Sequence, residues 1–168
     1  MTSLQANTLR EESFAGGGGF QIFVRSWRPE TAVSGVVVIV PGFNSHGGYY
    51  GWTAEQLMAK GLAVFALDLR GRGKSDGERF YVDKFSDYTS DVASLLEIVR
   101  EREPGLPVFL LGHSAGGVVS CLYALEHQAE PPTQIRAKPV DGPQRPGPAP
   151  REHQPGLGRE LLDRPQAG

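Results

Sequence analysis

Val108-Phe109-Leu110-Leu111-Gly112-His113-Ser114-Ala115-Gly116-Gly117-Val118-Val119-Ser120 is the stretch whose reading decides the fold. An apolar run rich enough for a buried strand stops at Gly112, and a turn of small residues follows. A helical pattern then carries Val118, Val119, Leu122, Tyr123 and Leu125. Gly-x-Ser-x-Gly between a strand and a helix is a nucleophile elbow. The serine must occupy a tight, strained turn so that its hydroxyl projects above the sheet edge. Glycine two residues to either side removes Cβ atoms that would collide where strand and helix pass closely. The same turn brings the Ala115 amide to a helix N-terminus, where it can face a developing oxyanion.

Working outward, Gly35-Val36-Val37-Val38-Ile39-Val40 is a continuous β-branched run, and Leu62-Ala63-Val64-Phe65-Ala66-Leu67 is a second apolar run. Strands apolar on both faces belong to parallel sheets covered by helices on both sides. A short helix over 52–60 with Gly61 as its stop separates them, and Trp52, Leu57 and Met58 are its candidate packing residues. A longer helix is expected over Ser86–Arg102, with Tyr88, Val92, Leu95 and Val99 on one stripe. Residues 13–29 read as a hairpin whose flexible turn is Gly16-Gly17-Gly18-Gly19 and whose second strand is 20–27. A phosphate cradle is excluded there because no helix pattern follows the glycines. The order predicts an α/β fold: a mostly parallel sheet flanked by helices, with an antiparallel N-terminal hairpin.

Composition sets the bounds. The formal net charge of −2 argues against a nucleic-acid surface driven by basic excess. The single cysteine, Cys121, excludes an internal disulfide and a thiolate metal cluster, and reads as a small apolar residue inside the helix after the elbow. The N-terminal residues are polar without a signal-peptide core, and no run approaches the ~20 apolar residues of a membrane span. A soluble, cytoplasmic protein is the expectation. Residues 1–130 form the predicted core. Residues 131–168 hold nine of the chain's 13 prolines and no aromatic residue, so a disordered tail is expected, as from an altered reading frame.

Three segments taken together resemble the α/β-hydrolase superfamily, and within it the monoacylglycerol lipase, lysophospholipase and serine aminopeptidase group. They are Val40 through Tyr50, Asp68-Leu69-Arg70-Gly71-Arg72-Gly73-Lys74-Ser75-Asp76-Gly77, and Gly112 through Gly117, spread over about residues 13–129. The resemblance implies that Ser114 is the acyl-accepting nucleophile and that the Phe43 and Ala115 amides form the oxyanion hole. It implies a carboxylic ester of lipid type as substrate, with no metal or organic cofactor. The family's loop usually reads His-Gly where this chain has Pro41-Gly42, which leaves the Phe43 amide available. His46 matches a loop histidine, and it precedes the serine. This fold uses the chain order Ser, Asp or Glu, then His, so His46 is assigned to bracing the loop. Asp68 and Arg70 are expected to bond neighbouring loops, and His113 to pack. Nucleotide readings of the Asp68–Gly77 turn fail, since a Walker A loop needs glycine at Asp68 and a dinucleotide fingerprint needs it at Asp76.

The triad acid and base are harder to place. Family members carry them on later strands, beyond an inserted lid, so the resemblance covers an N-terminal half whose C-terminal strands and lid are missing. Asp141 and His153 stand in the correct order, but their proline- and glycine-rich surroundings offer no strand to hold them. His127 is expected to be solvated. Two readings stay open: a serine hydrolase acting through Ser114, or a catalytically incomplete fragment or interaction protein. For the second, the sheet edge at the elbow strand predicts self-association.

Overall fold

The computed structural model describes residues 8–128, and its elements follow from where apolar side chains can be covered. Strands β1 (Thr8–Ala15), β2 (Gln21–Arg28), β3 (Gly35–Val40), β4 (Leu62–Leu67) and β5 (Val108–Gly112) form one sheet in the order β1-β2-β4-β3-β5. Helices α1 (Gly51–Met58), α2 (Ser86–Arg102) and α3 (Ala115–Glu126) alternate with the later strands. β3 pairs in parallel with β4 (Val36 opposite Ala63) and with β5 (Val38 opposite Leu110). β1 and β2 form the antiparallel hairpin, which joins the sheet through β4.

Every residue of β3 is buried, as its unbroken β-branched run demands. Val37 and Ile39 face α1 together with Trp27, Ala54, Met58, Val64 and Ala66. Val36, Val38 and Val40 face α2 and α3, where Leu95, Leu96, Val99, Val119 and Tyr123 complete the larger core. Covering each Val or Ile side chain is worth about 1.5–3 kcal/mol, which makes this central strand the anchor of the layers. The α2 stripe is buried as its periodicity predicts, from Tyr88 through Val99.

Several local expectations are corrected. The hairpin begins at Thr8, because the polar residues of β1 are tied by charge: Glu12 pairs with Arg102 of α2, and Glu11 with Arg25 at 3.0 Å. The glycine turn is docked. Gly17 donates to Asp91 Oδ1 at 3.0 Å, and its carbonyl accepts from Arg70 Nη2 at 2.9 Å. Trp52 stands in solvent and Ala54 takes its place in the core, because α1 starts at Gly51 and turns that face inward. The elbow strand spans Val108–Gly112, the run expected of it. α3 buries Val119 and Tyr123 and leaves Val118, Cys121, Leu122 and Leu125 exposed, so Cys121 is a surface thiol. His127 is half-buried: its ring stacks on Tyr123 at 4.1 Å, and its Nδ1 lies 2.9 Å from the Tyr123 carbonyl. Asp141, His153 and the whole 131–168 segment lie outside the described residues.

Candidate active site

The bend between β5 and α3 has the backbone its letters require. Ser114 sits at φ 54, ψ −121, a conformation that costs a non-glycine residue about 1–3 kcal/mol and must be held by its surroundings. The holding contacts are backbone ones: His113 donates to the Val40 carbonyl at 3.0 Å, Gly116 to His113 at 2.9 Å and Gly117 to Ser114 at 2.8 Å. A Cβ on Gly112 would lie 2.5 Å from the Gly116 carbonyl oxygen, and one on Gly116 would strike the Val40 and Pro41 carbonyls. Strand and helix can approach this closely only with glycine at both places. Ser114 itself is exposed, and its side chain makes no capping bond to α3.

The loop after β3 reaches the same point. A Cβ built on Gly42 would sit 3.3 Å from Ser114 Cβ, so the Gly42–Phe43 peptide borders the serine. Among the described residues, neither the Phe43 amide nor the Ala115 amide is taken by another protein group. The Gly42–Phe43 peptide and the start of α3 thus both border Ser114, and the Phe43 and Ala115 amides are uncommitted to other protein groups. Chemically, such a cluster can receive negative charge building on an oxygen next to the serine.

Around it, Asp68 is the organising group. It is fully buried at the end of β4, and it accepts from Arg25 Nη1 at 2.9 Å, Gly47 N at 2.7 Å and Lys74 N at 2.9 Å. One carboxylate thus joins β2, the loop after β3 and the 68–77 turn. Ser75 Oγ donates to the Asp68 carbonyl at 2.6 Å and accepts from Phe23 N at 2.8 Å. Arg70 clamps Asp91 with two bonds of 2.9 and 2.8 Å, and that bonding to Asp91 raises its pKa above the ordinary arginine value. His46 braces its loop as expected: its Nδ1 accepts from Gly48 N at 3.1 Å, and its ring lies 4.4 Å from that of Tyr49. His113 Nδ1 meets the Tyr50 hydroxyl at 3.0 Å, joining the elbow to the start of α1.

Sequence reasoning missed Arg72, Tyr50 and Phe80. Arg72 Nε donates to the Phe43 carbonyl at 2.6 Å, and its guanidinium carbon lies 4.4 Å from the Phe43 ring and 4.6 Å from that of Phe80. The charge of Arg72 inside a glycine-rich turn was the available signal; Phe80 offered none. No group of three or more metal-ligating side chains occurs among the described residues. None of the described helices is long and apolar enough to cross a membrane.

The profile of the family described as serine aminopeptidase, S33, matches residues 31–153. A monoacylglycerol lipase of Mycolicibacterium smegmatis is 37% identical over 80% of this chain and 48% of its own length. Human monoglyceride lipase is 40% identical over 64% of this chain and 36% of its own length. A thermostable carboxyl esterase from Bacillus coagulans, solved with glycerol, superposes with a TM-score of 0.67 at 29% identity, over 73% of this chain and 41% of that one. The chain spans less than half the length of these relatives.

Proposed function

Because the chain belongs to the serine aminopeptidase S33 family of α/β-hydrolases, we propose that it carries the nucleophile half of a lipase-like serine ester hydrolase. The observation that supports this reading best is Ser114, exposed at a strained φ of 54 at the bend between β5 and α3, with the uncommitted amides of Phe43 and Ala115 on the segments next to it. In the proposed reaction Ser114 Oγ attacks the ester carbonyl, and the carbonyl oxygen takes up the charge facing the two amides. Collapse of that intermediate expels the alkoxide, which takes up the proton released from Ser114 Oγ and leaves as the alcohol; water then removes the acyl group from Ser114 as the carboxylic acid. The monoacylglycerol lipases among the relatives favour a monoacylglycerol or lysophospholipid-like ester.

A second reading is a catalytically incomplete module. It is favoured by the described histidines, since His46, His113 and His127 bond to Gly48, Tyr50 and Tyr123 and no histidine–Ser114 hydrogen bond is formed among the described residues. A serine hydroxyl without a positioned base is a poor nucleophile. Incubation with a fluorophosphonate probe and with a short p-nitrophenyl ester separates the two. Labelling and turnover, both lost in Ser114→Ala, support the hydrolase; neither event in the parent chain sinks it.

For the 168-residue chain we also propose self-association with a second copy through β5. Among the described residues β5 pairs on one side only, with β3, and the neighbouring α3 exposes Val118, Leu122 and Leu125. An identical edge offers the matching row of amides and carbonyls.

A further inference from the structure

We propose that Arg72 is a positioning residue for the oxyanion-facing amide of Phe43, an inference that rests on the ester-hydrolase reading of Ser114. The Phe43 segment has little to hold it. It is a turn outside any strand or helix, closed by Ser45 N donating to the Gly42 carbonyl at 3.2 Å, and Phe43 itself is 55% exposed. Open loops of this kind move unless something pins them. What pins this one is a side chain from the next loop.

Arg72 is 4% exposed, yet among the described residues it pairs with no carboxylate. Its charge is met by two carbonyl oxygens, Phe43 at 2.6 Å and Gly71 at 3.0 Å, and by two ring faces. The rings of Phe43 and Phe80 stand 5.9 Å apart, each within 4.6 Å of the guanidinium carbon. Phe43 is thereby fixed twice, by its carbonyl and by its ring, while Gly42 on its other side abuts Ser114. Those contacts restrict rotation of the Gly42–Phe43 peptide, which carries the N–H. A planar guanidinium suits this task, because it can donate from its edge while its face lies against a ring.

Phe80 carries a second mark of the same device. It is one of two non-glycine residues with positive φ among those described, at 63°, and the other is Ser114. Strain of this kind persists where the surroundings impose it. Here the Gly71 carbonyl, which accepts from Arg72, also accepts from Phe80 N at 3.4 Å. The two strained residues thus bracket the loop that Arg72 holds.

The experiment uses the full chain as Arg72→Met, Arg72→Lys and Phe80→Ala variants. It measures the second-order rate of Ser114 phosphonylation by a fluorophosphonate, in which the Oγ–P bond forms, fluoride leaves and the hydroxyl proton passes to solvent. Amide 15N order parameters of Phe43 and Ala115, and the thermal midpoint, are read in parallel. Arg72→Met is expected to slow labelling roughly 100-fold, the range for loss of one oxyanion donor. The Phe43 order parameter should fall from about 0.85 to below 0.6 while Ala115 stays rigid. Arg72→Lys should recover part of both, because an ammonium restores the bond to Phe43 but lacks the planar fork that donates from its edge while lying flat against both rings. Phe80→Ala, a change at an exposed ring that spares the core, should lower the Phe43 order parameter alone and slow labelling several-fold. Unchanged Phe43 order in Arg72→Met and Phe80→Ala overturns the proposal, as does equal loss of order at Phe43 and Ala115 with a collapsed midpoint. If the parent chain is never labelled, the hydrolase reading fails, and the Phe43 order parameters still decide the role of Arg72.

Discussion

Replacing Asp68 by Asn changes one atom's identity at the junction of three segments, and the structure sets the expected cost. Asp68 Oδ1 accepts from Arg25 and Gly47, and Oδ2 accepts from Lys74. An amide keeps one acceptor and puts an NH2 against a donor on the other side. Removing one member of a buried charge pair costs about 3–5 kcal/mol because the partner is left uncompensated. Arg25 keeps Glu11 on its Nε at 3.0 Å, which reduces that figure. The orphaned amide adds about 1–3 kcal/mol. We expect a net loss of about 3–4 kcal/mol for Asp68→Asn, or roughly 6–15 °C in Tm for a domain of this size. Urea unfolding followed by circular dichroism at neutral pH measures it. Combining Asp68→Leu with Arg25→Met should not recover the loss, since leucine leaves the Gly47 and Lys74 amides without an acceptor. A loss below ~0.5 kcal/mol for the single variant would refute the reasoning that one carboxylate holds the three segments together.

Gly116→Ala and Gly117→Ala should move stability in opposite directions. Alanine gains up to about 1 kcal/mol of helix propensity at either place. At position 116 its Cβ strikes two backbone carbonyls of β3 and its following loop, for a net loss of roughly 2 kcal/mol, whereas at 117 it meets the Gly112 carbonyl oxygen at an ordinary 3.6 Å; paired thermal melts check both signs. Hydrogen bonding from Arg102 holds the Glu12 carboxyl below its ordinary 4.5, with burial opposing. A depressed folded-state value means the contribution is complete above 4.5 and is lost as pH falls through the lowered value. Protection factors of the β1 amides, corrected for the intrinsic pH dependence of exchange, should therefore fall on acidification below that point, and Arg102→Met should abolish the effect. Light scattering of the 168-residue chain should find dimers or larger species, reduced in Leu122→Lys on the exposed face of α3; a monodisperse monomer over the micromolar range would count against β5 pairing.

Where a residue's neighbours are close in sequence, the fold was legible. The β-branched run of β3, the stripe of α2 and the glycines flanking Ser114 each state a local requirement that the structure meets. The bend could be read because strand, turn and helix lie within 20 residues of each other. Long-range polar ties could not. β1 is polar, and it is held by Arg102, 90 residues away from Glu12. The glycine turn is seated on Asp91, 74 residues on, and so is not the flexible link its composition suggests. Arg72 and Phe43 are 29 residues apart, and no period or spacing connects a loop arginine to another loop's carbonyl. On α3 a uniformly apolar pattern conceals which side meets the sheet, so Val118, Leu122 and Leu125 could not be told apart from Val119 and Tyr123.

The strand order carries a consequence for vectorial synthesis. β3 emerges before either neighbour, since both β4 and β5 follow it in the chain. Between the last residue of β3 at 40 and the last of β4 at 67, translation must add 27 residues. At ~5–20 residues per second this takes roughly 1–5 s. Throughout that interval Gly35-Val36-Val37-Val38-Ile39-Val40 is a nascent ribbon with neither edge occupied, of the composition that stacks most readily between chains. The segment that anchors the finished sheet is thus made before either strand that it pairs with.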